Sequence, residues 1–173
     1  MINKNSTKEE VLEAVKNSGF ALYFATEELK RDREVVMEAV KHYGRALQYA
    51  SEAFRGDREV VLAAVKHEGF ALQYASEALK CDLDVVMEAV KQNGNSLQCA
   101  SEELRNDREV VLEAVKEDGW ALEYASEDLR DDKEVVMAAV YCNYEALRYA
   151  GNNLLYEVAR DWQDAIEQEV KND

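Results

Sequence analysis

Three cysteines and two histidines are the side chains of this sequence best suited to nucleophilic or metal chemistry, and their spacing argues against both. Cys81, Cys99 and Cys142 share no short spacing. A catalytic thiol needs an adjacent base, whereas Cys99 stands where neighbouring stretches carry Tyr and Cys81 falls in a polar turn. His42 and His67 occupy equivalent places 25 residues apart, and Gln92 and Glu117 follow at the same interval. Two imidazoles make an incomplete zinc site, so the pair reads as surface variation. Carboxylates recur as Glu27, Glu52, Glu77, Glu102, Glu127 and as Asp32, Asp57, Asp82, Asp107, Asp132. Acid-base work or cation binding is the chemistry such ladders suggest. The calcium-loop pattern of alternating Asp around a central Gly is absent, and both ladders fit better as helix caps and first-turn residues. The seven glycines are spread along the chain instead of clustering into a phosphate-binding loop. The sequence therefore predicts no catalytic residue, no metal site and no cofactor.

What remains is variation at fixed places. The position after the recurring glycine runs Phe20, Arg45, Phe70, Asn95, Trp120, Glu145, and the two positions before it are equally mixed, as in Asn17-Ser18, His42-Tyr43 and Gln92-Asn93. Specificity in a repeat scaffold can be written at such positions, and aromatic anchors dominate interface energetics. Phe20, Tyr43, Arg45, Phe70, Asn95 and Trp120 are accordingly the candidate partner-binding residues, with Tyr43, Phe70 and Trp120 as anchors. Drift at unconstrained solvent positions is the competing reading.

These positions are placed by a 25-residue repeat. Asp32-Arg33-Glu34-Val35-Val36-Met37 returns as Asp57 to Leu62, Asp82 to Met87, Asp107 to Leu112 and Asp132 to Met137, and a less regular first copy enters through Thr7 to Leu12. The six copies span about 7–31, 32–56, 57–81, 82–106, 107–131 and 132–156. Within the second copy Asp32 is an N-cap candidate, and Val35, Val36, Ala39 and Val40 fall along one helical stripe. Gly44 fits a C′ position, where a left-handed conformation costs glycine little. Ala46, Leu47, Tyr49 and Ala50 form the apolar side of a short second helix, and Ser51-Glu52 start a further turn. Basic residues at Lys30, Arg55, Lys80, Arg105 and Arg130 are expected to offset the acids between copies. One such pair cannot cover its own apolar face, so the copies are expected to stack. The residue after the paired valines alternates Leu12, Met37, Leu62, Met87, Leu112, Met137. This points either to an underlying 50-residue, two-copy unit or to a volume-conserving swap without consequence. In the sixth copy Tyr144 replaces the glycine and Gly151 the serine, and residues 154–170 read as a capping helix over the last stack.

Composition sets the outer limits. With 47% hydrophobic and 33% charged residues the chain reads as one soluble globular unit spanning residues 1–173, and proline is absent. A formal charge of -15 argues against a nucleic-acid backbone or an anionic membrane as the partner and favours a basic one. No apolar run reaches the length of a membrane span, the segment Met1 to Lys8 is polar, and the cysteines read as free thiols. No signal peptide and a cytoplasmic location are expected.

The pattern Asp-x-Glu-Val-Val-x-x-Ala-Val-x-x-x-Gly-x-Ala-Leu-x-Tyr-Ala-Ser-x-x-Leu resembles the domain of unknown function family numbered 4116, over residues of about 8–156. The resemblance implies an all-helical repeat and carries no catalytic residues with it. Asn95-Ser96 and Cys99 in the fourth copy depart from the pattern and read as packing variation. The expected architecture is all-α: a right-handed α-solenoid of stacked short helical pairs closed by a C-terminal capping helix. The expected function is a non-catalytic scaffold that binds a protein or peptide. An acidic module that blocks a basic site on a partner is the alternative.

Overall fold

The computed structural model of the chain describes the backbone of residues 2–3, 5–152 and 154–172, and side chains as far as residue 163. Each copy begins with a ten-residue α-helix: Lys8–Asn17, Arg33–His42, Arg58–His67, Leu83–Gln92, Arg108–Glu117 and Lys133–Cys142. Aspartate caps five of them. The Asp32 carboxylate accepts from the amides of Glu34 and Val35, at 3.0 and 3.2 Å, and Asp57, Asp107 and Asp132 repeat the arrangement. Asp82 caps Val85 alone. The first helix uses a capping box instead, Thr7 and Glu10 each accepting from the other's amide. The valine pair, the alanine and the last valine of every long helix from the second copy onward are buried against the neighbouring helices.

The return half of the unit is not a second α-helix. From the second copy onward it is a six-residue 3₁₀ segment, Gly44–Tyr49, Gly69–Tyr74, Gly94–Cys99, Gly119–Tyr124 and Tyr144–Tyr149; copy one makes a short α-helix, Ala21–Phe24. A 3₁₀ turn repeats every three residues, and burial follows that period. Gly44, Leu47 and Ala50 are buried, Arg45 and Gln48 are exposed, and Ala46 is buried beside a half-buried Tyr49. A four-residue helix such as Glu52–Arg55 then leads to the next Asp cap.

The copies stack as the expected all-α repeat solenoid, long helix on long helix and 3₁₀ segment on 3₁₀ segment. A backbone bond ties each junction: the amides of Ser51, Ser76, Ser101, Ser126 and Gly151 donate to the carbonyls of Lys30, Arg55, Lys80, Arg105 and Arg130. The bond itself needs only the amide, which glycine supplies at 151, where a Cβ would run into the Asp131 carboxylate. The C-terminal helix Leu155–Asn172 lies over the sixth copy, with Val158 buried and the Trp162 ring 4.3 Å from that of Tyr144. The expected capping segment 154–170 has its side chains from residue 164 onward, Ala165 and Ile166 among them, outside the described set.

Two expectations are corrected. No described glycine has positive φ, so the recurring glycine is not a left-handed cap. Its demand is steric. A Cβ on Gly44 would stand 2.5 Å from the carbonyl oxygen of Ala64, and one on Gly119 the same distance from that of Ala139, each in the next copy's long helix. In copy six no long helix of this kind follows, and Tyr144 occupies the place with its ring against the capping helix. The basic ladder that joins copies is also a different one. Lys30 and Lys80 pair within their own short segment, with Glu27 and Glu77. The cations that join copies along the long helices are Lys8, Arg33, Arg58, Arg108 and Lys133, the first residue of each long helix bar one.

Candidate partner-binding face

The first-turn cations make a bridged ladder along one edge of the long helices. Lys8 reaches Asp32 and Glu34 at 2.8 and 2.7 Å, Arg33 reaches Asp57 and Glu59 at 2.5 Å each, and Arg58 reaches Asp82 and Asp84 at 2.9 and 2.6 Å. Arg108 repeats this with Asp132 and Glu134, and Lys133 ends it on Glu157 and Asp161 of the capping helix. Leu83 interrupts the series at 49% exposure. The hydrogen bonds from Lys8, Arg33 and Arg58 hold the carboxyls of Asp32, Asp57 and Asp82 below the usual carboxylate range, and Lys8 is pushed up to about 12 by Asp32 and then Glu34. Those acids are thus occupied in joining copies and do not form an open acidic site.

The outer surface of the 3₁₀ segments has another character. The position after glycine lies one row from the recurring Tyr of the next copy. Phe20 meets Tyr49 at 5.6 Å and Trp120 meets Tyr149 at 5.8 Å, both edge to face. At the intervening junctions the same position is polar and bonds across: Arg45 to Glu68 at 2.5 Å, and the Asn95 amide to Asp118. Aromatic and polar junctions therefore alternate, Phe20, Phe70 and Trp120 against Arg45, Asn95 and Glu145. Around Phe20 the first copy adds Tyr23 and Phe24, their centroids 5.4 and 5.2 Å from the Phe20 ring, and all three rings are about half exposed.

Of the six residues expected at the site, Phe20, Phe70 and Trp120 line this face. Phe70 and Trp120 are half-buried. Arg45 and Asn95 stand in the same row but spend their polar groups on the next copy. Tyr43 belongs to the junction: its hydroxyl donates to the Asn17 carbonyl at 2.5 Å and its ring lies 6.5 Å from His67. His67 itself accepts from the amide of Gly44 at 3.3 Å, and Gln92 at the equivalent place accepts from Gly69 at 2.5 Å. The residues before glycine, read as mixed, are thus partly junction groups. Asn93, Asp118 and Asn143 add a second use, capping the 3₁₀ segments through the amides of Asn95, Trp120 and Glu145.

What the sequence reading missed is the column Phe24, Tyr49, Tyr74, Tyr124, Tyr149, with Cys99 in copy four. Its regularity made it look like core, yet these tyrosines are only half-buried. Burial, then the nearby Glu123, raises the Tyr124 phenol and likewise that of Tyr149, and burial raises the Cys99 thiol. Clefts open beside the column in equivalent register: about 830 Å³ at Phe24 and Lys30, about 600 Å³ at Tyr124 with Arg105 and Arg130, and about 470 Å³ at Tyr149 with Arg130. Among the described residues no group of three or more His, Cys, Asp or Glu is placed to hold a metal ion, and no helix is long and apolar enough to cross a membrane.

The family model described as domain of unknown function (DUF4116) matches residues 7–55, 57–105 and 107–155. The chain belongs to this family. Each DUF4116 match spans two of the 25-residue copies, with Leu in the first and Met in the second at the place of Leu12, and an aromatic residue followed by a polar one at the place of Phe20. The unit that the family model matches is thus the same two-copy unit over which the junctions alternate. No curated protein and no solved structure matches this DUF4116 chain.

Proposed function

We propose that the chain is a non-catalytic helical-repeat scaffold that holds a protein or peptide against its 3₁₀ face. The observation carrying this reading is a row of aromatic side chains. Phe20, Tyr23, Phe24, Tyr49, Phe70, Tyr74, Trp120, Tyr124 and Tyr149 lie along that one surface, the first three as an exposed cluster and the rest half-buried. Exposed apolar patches on a charged protein mark interaction sites, and rigid aromatic rings are the side chains that most often dominate binding. Rings fixed on a stack need little ordering when a partner arrives. A second reading, an acidic module that covers a basic site, draws on the formal charge of -15. The ladder weakens it, because four of the five Asp caps and several first-turn acids are already paired between copies.

Site-specific photocrosslinking tests the assignment of the face. A benzophenone side chain placed at the exposed positions Gln48, Gln73 or Gln98 is expected to capture a partner in cell extract, whereas the same group at Lys66 or Lys91, exposed on the long helices, is expected to capture none. Adducts formed as readily from the lysine positions, and lost together as salt is raised, would favour the acidic-module reading, because charge-led contacts are screened and aromatic ones are not.

A further inference from the structure

We propose that the occupant of the 3₁₀ face is a basic, proline-rich segment lying along the stack as a polyproline II helix, one peptide turn per copy. The inference rests on the scaffold reading and names the chemistry of its partner.

Pitch is the first argument. The Tyr column advances one ring per copy, and neighbouring copies are in direct helix-to-helix contact, which sets their spacing at about 8–10 Å. A polyproline II helix has three residues per turn at about 3.1 Å each, so one of its faces repeats every ~9.3 Å. A β-strand presents the same face every ~6.7 Å and an α-helix every ~5.4 Å. Only the first keeps step with rings placed one per copy. Proline at every third residue would then meet Tyr49, Tyr74, Tyr124 and Tyr149 in turn, with Phe24 at one end and a gap at Cys99.

Hydrogen bonding is the second. A polyproline II backbone satisfies none of its own carbonyls, so a groove for it must offer donors. The exposed amides of Gln48, Gln73 and Gln98 stand along the row; those of Gln73 and Gln98 each give one N–H to their own backbone, at the Phe70 and Asn95 carbonyls, and keep the second. Arg105 and Arg130 line the clefts beside Tyr124 and Tyr149. Neither arginine has an ion-pair partner among the described residues, and because the Nε of each is buried, donation to the segment falls to the outer nitrogens of the guanidinium. Charge is the third. Glu102, Glu103, Glu127 and Asp128 rim the cleft at Tyr124, and the whole chain carries -15, so the segment that fits carries Lys or Arg between its prolines. Residues 1–173 contain no proline, so the segment comes from outside them.

The test uses the full chain and two synthetic peptides of equal length and charge, one of five Pro-Pro-Lys triplets and one of five Gly-Ser-Lys triplets. Fluorescence anisotropy at about 0.15 M salt, where the screening length is about 8 Å, is expected to give saturable binding of the proline peptide at least about tenfold tighter than that of its control. In spectra of the ¹⁵N-labelled protein, the side-chain amides of Gln48, Gln73 and Gln98 and the indole of Trp120 are expected to shift on addition of the proline peptide, with Lys66 and Lys91 unmoved. Equal affinity for both peptides, absence of saturable binding by the proline peptide, or shifts confined to the long-helix edge each overturn the proposal. Crosslinking from the glutamine positions to a partner without proline would also overturn it while leaving the scaffold reading standing.

Discussion

Replacing Gly44 by alanine tests the stacking geometry directly. Alanine suits a helical protein better than glycine on conformational grounds alone, and where space and φ permit it such a change stabilises by about 0.4–1 kcal/mol. At Gly44 space does not permit it. The added methyl would sit 2.5 Å from the Ala64 carbonyl oxygen and 2.8 Å from the Glu68 Cβ, against the 3.4–4 Å of ordinary contact. The oxygen belongs to the backbone of a helix whose own valines are fully buried, so it cannot swing aside and the two copies must part. Overpacking of this kind costs about 1–3 kcal/mol, and the upper end applies because the obstacle is main chain. Gly56 is the internal control: with φ -100° and ψ -1°, and its nearest neighbours at 3.7–3.8 Å, it accepts a methyl without strain. Urea denaturation followed by circular dichroism should show Gly44→Ala unfolding earlier by about 3 kcal/mol and Gly56→Ala unchanged or later by up to about 1 kcal/mol. Gly44→Asn separates the steric cause from a left-handed one, since asparagine tolerates positive φ. Asparagine as well tolerated as glycine at this position, or alanine as harmless there as at 56, would refute the close-approach argument.

Three further outcomes follow from the same contacts. Leu83→Arg supplies the missing rung toward Asp107 and Glu109 and should stabilise by up to about 1 kcal/mol at low salt, an effect erased near 1 M salt; denaturation midpoints of the variant and the parent at the two ionic strengths check it. The carboxyls of Asp57 and Asp82 are depressed by Arg33 and Arg58 in the folded chain. Their stabilisation is therefore complete above the unfolded value of about 3.9 and is lost as pH falls through the lower folded values. The stability gap between the parent and Arg58→Gln, measured across a pH series, should be constant above about pH 5 and should close toward about pH 2; a gap that widened on acidification would contradict the ladder. Thiol labelling should modify exposed Cys81 and Cys142 quickly and Cys99 slowly, because Cys99 is half-buried and burial raises its thiol; mass spectrometry of timed aliquots distinguishes the three.

Much of the architecture was legible because a repeat states the same fact several times. Asp32, Val35, Val36, Ala39 and Val40 announce a capped amphipathic helix, and five further copies remove the ambiguity a single ten-residue window would leave. The glycine was misread for a physical reason: a left-handed cap and a close backbone approach select the same residue, and only the Ala64 carbonyl, 20 residues away in sequence and in contact in space, tells them apart. The basic ladder was misread likewise. Lys30, Arg55, Lys80, Arg105, Arg130 and Lys8, Arg33, Arg58, Arg108, Lys133 recur with equal regularity, and periodicity alone cannot say which side chains point at the next copy. For the binding face the difficulty was reversed. Tyr49, Tyr74, Tyr124 and Tyr149 vary too little to look like a recognition surface, whereas the variable positions include Tyr43 and Arg45, whose polar groups join copies.

The irregular positions carry more about the stack than the regular ones. Tyr144 stands in the glycine place where no repeat helix follows, and its ring is taken up by Trp162. Leu83 stands where the ladder lapses, yet the copies on either side keep their helix contacts. The ladder is therefore dispensable at one junction while close approach is kept at every described junction between successive long helices. Backbone proximity enforced by glycine, and not surface charge, is what fixes the spacing of the aromatic column. If the column is a ruler for an extended peptide, its graduations are set by Gly44, Gly69, Gly94 and Gly119 against the carbonyls of the next long helix, and by Gly19 against the Tyr43 side chain, none of which needs to touch the partner.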